Sequence, residues 1–547
     1  MNRRAFVGRG ALAAGALAVR GARMFAQQAG AEASRGTAAS RFTSDDAELQ
    51  RICDAALATL AGNVVQFPSY PEAVLVEGSV YHGVWLECAP QEGEVYSAAG
   101  PEAARQLARS NHLIFFALQK EDGQLPCCVK ENGPAFGQIQ MVVPIAATAW
   151  ELAQRFGDEE LLDQAYAACG RWDAWLRRYR NTRGTGLCEG FCTYDTGQDH
   201  SPRWKGLADR CPDGDARRCP QEPGMPRLCP DLSATVYGGR VALASMAKAL
   251  GRTDEADGWR EDAETIRRLM VEKLYDPRDG AFYDLDTNNQ FVKIRSSTIM
   301  TVLGEHVPDA RVFETVWRKQ AGNPQAFWAP YPFPSVALDD PQFVRPIPRN
   351  SWGGATQALT ALRAPRWMEH YGRSAELGRL MQRWIEALRR ARGEFRQQMD
   401  PLTGEFTLTD PGGYSPAALV CMDFVWRLSG VRQTGDGIEW NVRPPAQRGR
   451  SQFTRRMGTA TAELRYDGER AELRLAGRRV AGVSGVVRLL TTKDGELQTA
   501  VGIAESEQRV TIEEPGRGKG RLRVAPNERV ALRAQRLWTP ISTIAAH

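Results

Sequence analysis

Histidine is scarce in this chain, six in 547 residues with one of them terminal, so a nucleophilic triad or a histidine-rich metal centre has little to draw on. No glycine-rich phosphate loop opens a helix and no dinucleotide fingerprint follows a strand, which removes the common nucleotide-binding classes. Ser201 lies in Ser-Pro-Arg, far from the G-x-S-x-G elbow of a serine hydrolase. Beyond the N-terminus no apolar run reaches the roughly 20 residues that span a bilayer. Charge of one sign is lacking too. The formal excess of +5 equals Arg3, Arg4, Arg9, Arg20 and Arg23, with no acid before Glu32. The remainder is neutral and offers no electrostatic footprint for nucleic acid or an acidic membrane.

What the N-terminus does contain is Arg3-Arg4, then Phe6, then ten weakly hydrophobic Ala/Gly-rich residues from Gly10 to Val19, with small-residue cleavage options at Ala26 and Ala29-Gly30-Ala31. Residues 1–31 read as a twin-arginine signal, which places the protein in the periplasm or outside the cell, with no membrane insertion once the signal is removed. All eleven cysteines follow it. In an oxidising compartment Cys188, Cys192, Cys211, Cys219 and Cys229 are expected to staple one Pro/Gly-rich loop with disulfides. Their spacings, C-x3-C, C-x7-C and C-x9-C without an interleaved histidine, do not make a zinc knuckle. Asp284 and Asp286 are half of an oxygen-rich loop and read as a solvated turn rather than a calcium site. Neither a metal nor a cofactor is expected.

From residue 43 to 428 apolar residues recur at three- and four-residue steps, in stretches such as 101–119, 140–157, 159–180, 231–250, 253–275, 353–371 and 373–391. About eleven helices result. Short links such as Gly157-Asp158, Gly251-Arg252 and Gly372-Arg373 alternate with long ones at 63–100, 120–139, 181–230, 276–292, 321–352 and 392–414. Such alternation describes stacked helical hairpins, and a ring of six would deliver every long loop to one face. After Val431 the period changes to two: Ala460, Ala462, Leu464 and Tyr466 alternate up to Asp467-Gly468, and Ala471, Leu473 and Leu475 resume. The expected organisation is mainly α, a helical toroid over 40–430 with a small β-sandwich over 431–547.

The long loops hold aromatic residues suited to stacking on pyranose faces (Trp85, Tyr194, Trp204, Trp328, Tyr331 and Trp352), beside amides and charges that bind hydroxyls. A carbohydrate is the expected partner. Cofactor-free glycoside hydrolysis needs two carboxyl groups, one protonated and one ionised. In Tyr194-Asp-Thr-Gly-Gln-Asp-His-Ser-Pro-Arg203, Asp199 fits the acid, with Arg203 as a substrate or orienting contact and Asp195 four positions earlier. An Asx-turn before Ser-Pro is the competing reading of Asp199.

That segment resembles the W-E-S-G-x-D-N-S-P/R loop of the (α/α)6 glycosidase clan holding trehalase, processing α-glucosidase I and mannosylglycerate hydrolase. Glu121-Asp-Gly-Gln-Leu-Pro126, LYDPRDGAFYD (274–284), FWAPYPFPSVALDDP (327–341) and FRQQMDPLTGE (395–405) resemble further segments of it. The resemblance covers roughly 75–430. It implies a six-hairpin toroid, inversion at an α-linked sugar, Asp199 as general acid and Asp195 at a sugar-binding glutamate. It also puts Gln397, with Gln398 beside it, where the clan has its general base, and an amide cannot take a proton from water. Ser351-Trp352-Gly353-Gly354 lacks the clan's arginine. Another base is therefore expected, with Glu92 and Glu87 preferred over Glu94, Glu189 and Glu394. A phosphorylase, a lyase on the same toroid and a sugar-binding protein without turnover are the alternatives.

Overall fold

The computed structural model describes residues 40–532 except 102, 436 and 445–448; the twin-arginine segment lies outside them. Twelve α-helices are found among the described residues: α1 Ala47–Gly62, α2 Ala89–Ala99, α3 Ala104–Ala117, α4 Ile145–Phe156, α5 Glu159–Tyr179, α6 Pro230–Ala249, α7 Thr253–Lys273, α8 Thr298–Gly304, α9 Ala310–Val316, α10 Ala358–His370, α11 Ser374–Arg390 and α12 Ser415–Ser429. The even-numbered helices touch in a closed inner ring, α2-α4-α6-α8-α10-α12 and back to α2. Odd-numbered helices form the outer layer. The result is an (α/α)6 toroid.

Sequence chemistry separates the two layers. Outer helices are amphipathic, and three of them are capped by an aspartate, α1 by Asp46 accepting from the Glu48 and Leu49 amides, α5 by Asp158 and α9 by Asp309. Inner helices α2, α6 and α12 carry proline in the first turn, where the missing N–H costs nothing. They are buried on almost every side. In α12 only Arg427 escapes full burial. The helix absent from the sequence reading, α2, is of this kind: APQEGEVYSAA is buried all round and shows no apolar stripe. Gly157, left-handed at φ +61°, ends α4 and opens the short link to α5.

Every outer-to-inner connection is long and every inner-to-outer one short, so the long loops share one end of the ring. Residues 431–531 fold into two antiparallel sheets of seven and five strands packed as a sandwich. One strand of the larger sheet comes from the other side of the toroid in sequence: Ser40–Ser44 pairs with Ser451–Met457. No described helix is long and apolar enough to cross a membrane.

Candidate active site

At the loop end of the ring lies a cleft of about 740 Å³. One wall is the loop from α5 to α6. Its shape is set by buried charge pairs rather than by disulfides. Asp195 accepts the backbone N–H groups of Ile139 (2.8 Å) and Phe191 (2.7 Å) and a double contact from the Arg180 guanidinium, both residues being fully buried. Arg203 bridges Asp284 and Asp231, with Nε to Asp284 at 2.9 Å and Nη2 to Asp231 at 3.1 Å. Between these two anchors the chain turns through Gly197 (φ +63°) and His200 (φ +57°) and presents Asp199 to the cleft. Asn350 Nδ2 donates to Asp199 Oδ2 at 2.8 Å, and the Trp352 amide donates to the Asp199 carbonyl at 3.0 Å.

A second wall is built from the loops before α2 and α12. Tyr81 Oη donates to Gln397 Oε1 (3.0 Å), and Gln397 Nε2 donates to Asn350 Oδ1 (2.9 Å). An unbroken chain of hydrogen bonds thus runs Tyr81, Gln397, Asn350, Asp199. On the Gln397 side Glu77 enters the cleft, its carboxylate accepting the Tyr414 hydroxyl at 2.6 Å. Tyr414 is tied by its amide to the Phe395 carbonyl, and the Ser415 amide bonds the Glu77 carbonyl. Glu77 and Gln397 therefore belong to one wall.

Burial dominates the electrostatics. It raises the Asp199 carboxyl above the ordinary aspartate range, against the Asn350 hydrogen bond, which favours the ionised form. Glu77 is pushed up to about 8 by burial and then by repulsion from Glu92. Glu87 rises to about 8 through burial and the charge of Glu77, and Glu92 to about 7 through burial. Glu87 lines the cleft but folds back against the Asp199 loop, its Oε2 occupying the space a side chain at Gly197 would need.

Of the residues expected in the site, Asp199, Glu87, Tyr194, Trp85, Trp352 and Gln397 line the cleft. Trp85 and Trp352 pack with Cys88 and Leu359 into a small apolar patch there. Six other expectations need correction. Glu92 is fully buried on α2, outside the cleft lining, with the Cys88 thiol beside its carboxylate. Asp195 and Arg203 are consumed by the ion pairs that shape the loop. Trp204 is buried with Nε1 on Thr196 Oγ1 (3.1 Å), and Trp328 packs among Trp317 and Phe333. Gln398, fully buried, takes hydrogen bonds from the Ser351 amide and Gln357.

The lesser carboxylates fall away as well: Glu94 pairs with Arg155, Glu394 with Arg396, and Glu189 accepts the Thr182 and Arg183 amides. All eleven cysteines are free thiols. Cys192 and Cys211 approach to 3.7 Å between sulfurs without bonding, so the expected staples are replaced by the arginine–aspartate pairs. Cys192, Asp195 and Cys211, and Cys229, Asp231 and Asp284, are close enough to hold a metal. In each set the aspartates already face a buried arginine, whose charge takes the place of an ion's.

Glu77, Asn350, Tyr81 and Tyr414 were missed in the sequence as residues of the site. Glu77 ends the apolar run Ala73–Val76, and a lone carboxylate there is a signal of a buried acid. Asn350 lies in the segment where the chain departs from the clan pattern.

A helical toroid with a carboxyl-lined cleft at its loop end is the architecture of the (α/α)6 glycosidases. The mannosylglycerate hydrolase MGH1-like glycoside hydrolase domain family matches residues 99–426, more than half of the chain, and the chain belongs to it. A search of curated protein sequences finds no match. Among solved structures, the GH63 mannosylglycerate hydrolase from Thermus thermophilus is similar at 19% identity and a TM-score of 0.55, with 68% of this chain and 99% of that one covered. A sialidase is similar at 16% identity and a TM-score of 0.62, covering 83% of this chain and 41% of that one. The GH78 rhamnosidase of Bacillus sp. GL1 follows at 12% and 0.56, covering 79% and 40%. The protein is a glycoside hydrolase acting on carbohydrate.

Proposed function

We propose that the protein hydrolyses an α-linked sugar, disaccharide or short oligosaccharide with inversion, Asp199 protonating the leaving oxygen and Glu77 activating water. The observation that carries this reading is that Glu77 and Asp199 line one cleft from different loops, with Glu77 held beside Gln397 through Tyr414. Inversion needs carboxyl groups on opposite sides of the scissile bond with room for water between them. Glu87 is held against the acid's own loop and serves to fix it. Asn350 keeps one Asp199 oxygen occupied and leaves the other for the leaving group.

Lyase chemistry would assign the base to a tyrosine, and Tyr81 is in place. Burial and the charge of Glu77 push its hydroxyl well above the ordinary phenol range, which opposes a tyrosinate. Export by the twin-arginine route, to the periplasm or beyond, completes the proposal. A panel of α-glycosides that includes mannosylglycerate tests it through released reducing sugar. Hydrolysis without ultraviolet-absorbing products is expected, whereas unsaturated products or binding without turnover would overturn it.

A further inference from the structure

A second cavity, of about 1080 Å³, lies at the other end of the toroid, and the proposed hydrolysis makes no use of it. Its walls are the C-terminal halves of the inner helices, including Glu151 and Arg155 on α4, Arg366 and Glu369 on α10, and Asp423 to Arg427 on α12. These are the ends from which the short links leave, so the cavity faces away from the cleft. The sandwich contributes Arg432 and Arg455.

Its lining charges are paired with one exception; Arg366 also meets Glu305 at 3.3 Å and Arg432 meets Glu439 at 2.6 Å. Glu94 pairs with Arg155, Glu151 with Arg366 at 2.9 Å, Asp423 with Arg427 at 2.7 Å, and Glu369 with Arg427 at 3.0 Å and Arg432 at 2.8 Å. Each lining carboxylate is thus neutralised. Arg455 is the arginine left over: among the described residues no carboxylate lies within ion-pair distance of it. Its Nη1 reaches only the Val431 carbonyl, at 3.5 Å. Its guanidinium carbon stands 5.7 Å from the Trp426 ring, whose buried Nε1–H has no acceptor among the described residues. Burial, and then Arg155, Arg432 and Arg427, lower the Arg455 pKa only to about 10, so the group stays charged at neutral pH. His306 in the same wall is pushed down to about 3, by burial first, and brings no charge of its own.

We propose that this cavity binds a small oxyanion, of the carboxylate or phosphate class, on Arg455 beside Trp426. An anion there supplies the missing counter-charge. Its source, inorganic phosphate or the carboxylate of a sugar acid, is separated by the probes. The full chain is titrated with inorganic phosphate, acetate and glucuronate, followed by calorimetry and by the indole N–H resonance of Trp426. At least one probe is expected to bind saturably and shift that resonance. Arg455→Met is expected to weaken binding about tenfold or more, Arg455→Lys to retain part of it, and glycosidase turnover to stay unchanged in both. Phosphate as the tightest ligand assigns the site to an inorganic anion, and glucuronate tighter than acetate assigns it to a sugar acid. Equal binding to wild type and Arg455→Met, with thermal midpoints showing both folded, would overturn the proposal, as would absence of saturable binding for all three probes.

Discussion

The two walls of the cleft are held by different forces. The Asp199 wall is clamped by buried ion pairs, Arg180 with Asp195 and Arg203 with Asp231 and Asp284, while the Gln397 wall is joined by hydrogen bonds, from Tyr81 to Gln397, from Gln397 to Asn350 and from Tyr414 to Glu77. Strong pairs with little freedom hold the Asp199 loop, which suits the proposed proton donor, because its position relative to the leaving oxygen would decide the rate. Glu77 is held by the Tyr414 hydroxyl rather than by an ion pair, which suits the proton exchange proposed for it. Rigidity and proton mobility are divided between the walls.

That division can be broken at its most sensitive point by Asp199→Asn, which should lower kcat/KM by about 10³ to 10⁴ in steady-state assays with circular dichroism unchanged. Glu77→Gln comes next, with an expected loss of about 10² to 10³. Wild-type kcat/KM should fall as pH rises through about 8, since the productive pair holds one proton and Glu77 releases the last of them there. The variant should lose that limb. Adding Gln397→Glu to Glu77→Gln sharpens the test, because a carboxylate restored to the same wall should recover part of the rate. Arg180→Met strands a buried Asp195 and should cost about 3–5 kcal/mol of stability by denaturant unfolding.

The smallest effect is expected from Glu92→Gln. The folded pKa of Glu92, about 7, lies above its ordinary 4.5, so its contribution to stability is complete below pH 4.5 and is lost as pH rises through 7. The amide should remove that loss. The thermal midpoint of the variant should gain on the wild type between pH 5 and pH 8, and parallel profiles would contradict the assignment.

The sequence made the ring legible because outer helices show an apolar stripe and because long and short links alternate. It hid α2, whose all-round burial erases the stripe, and hid the joining of Ser40–Ser44 to a sheet some 400 residues later, a pairing across the whole chain. The position of Asp199 in the cleft was readable from its loop. Asp195 and Arg203 were misread because a carboxylate or guanidinium near a cleft looks the same in sequence whether it meets a sugar or a buried partner. Trp204 and Trp328 failed for the matching reason, since loop aromatics also fill the space beneath loops. Glu77 went unseen because its role depends on Tyr414, 337 positions away, holding it on the Gln397 wall.

The measurement that bears most directly on a Glu77–Asp199 pair is proton NMR of the anomeric signals during the first turnovers of an α-glycoside substrate. The β-anomer of the released sugar should appear first and then mutarotate. Initial appearance of the α-anomer, which requires a covalent intermediate or another route, would contradict the account.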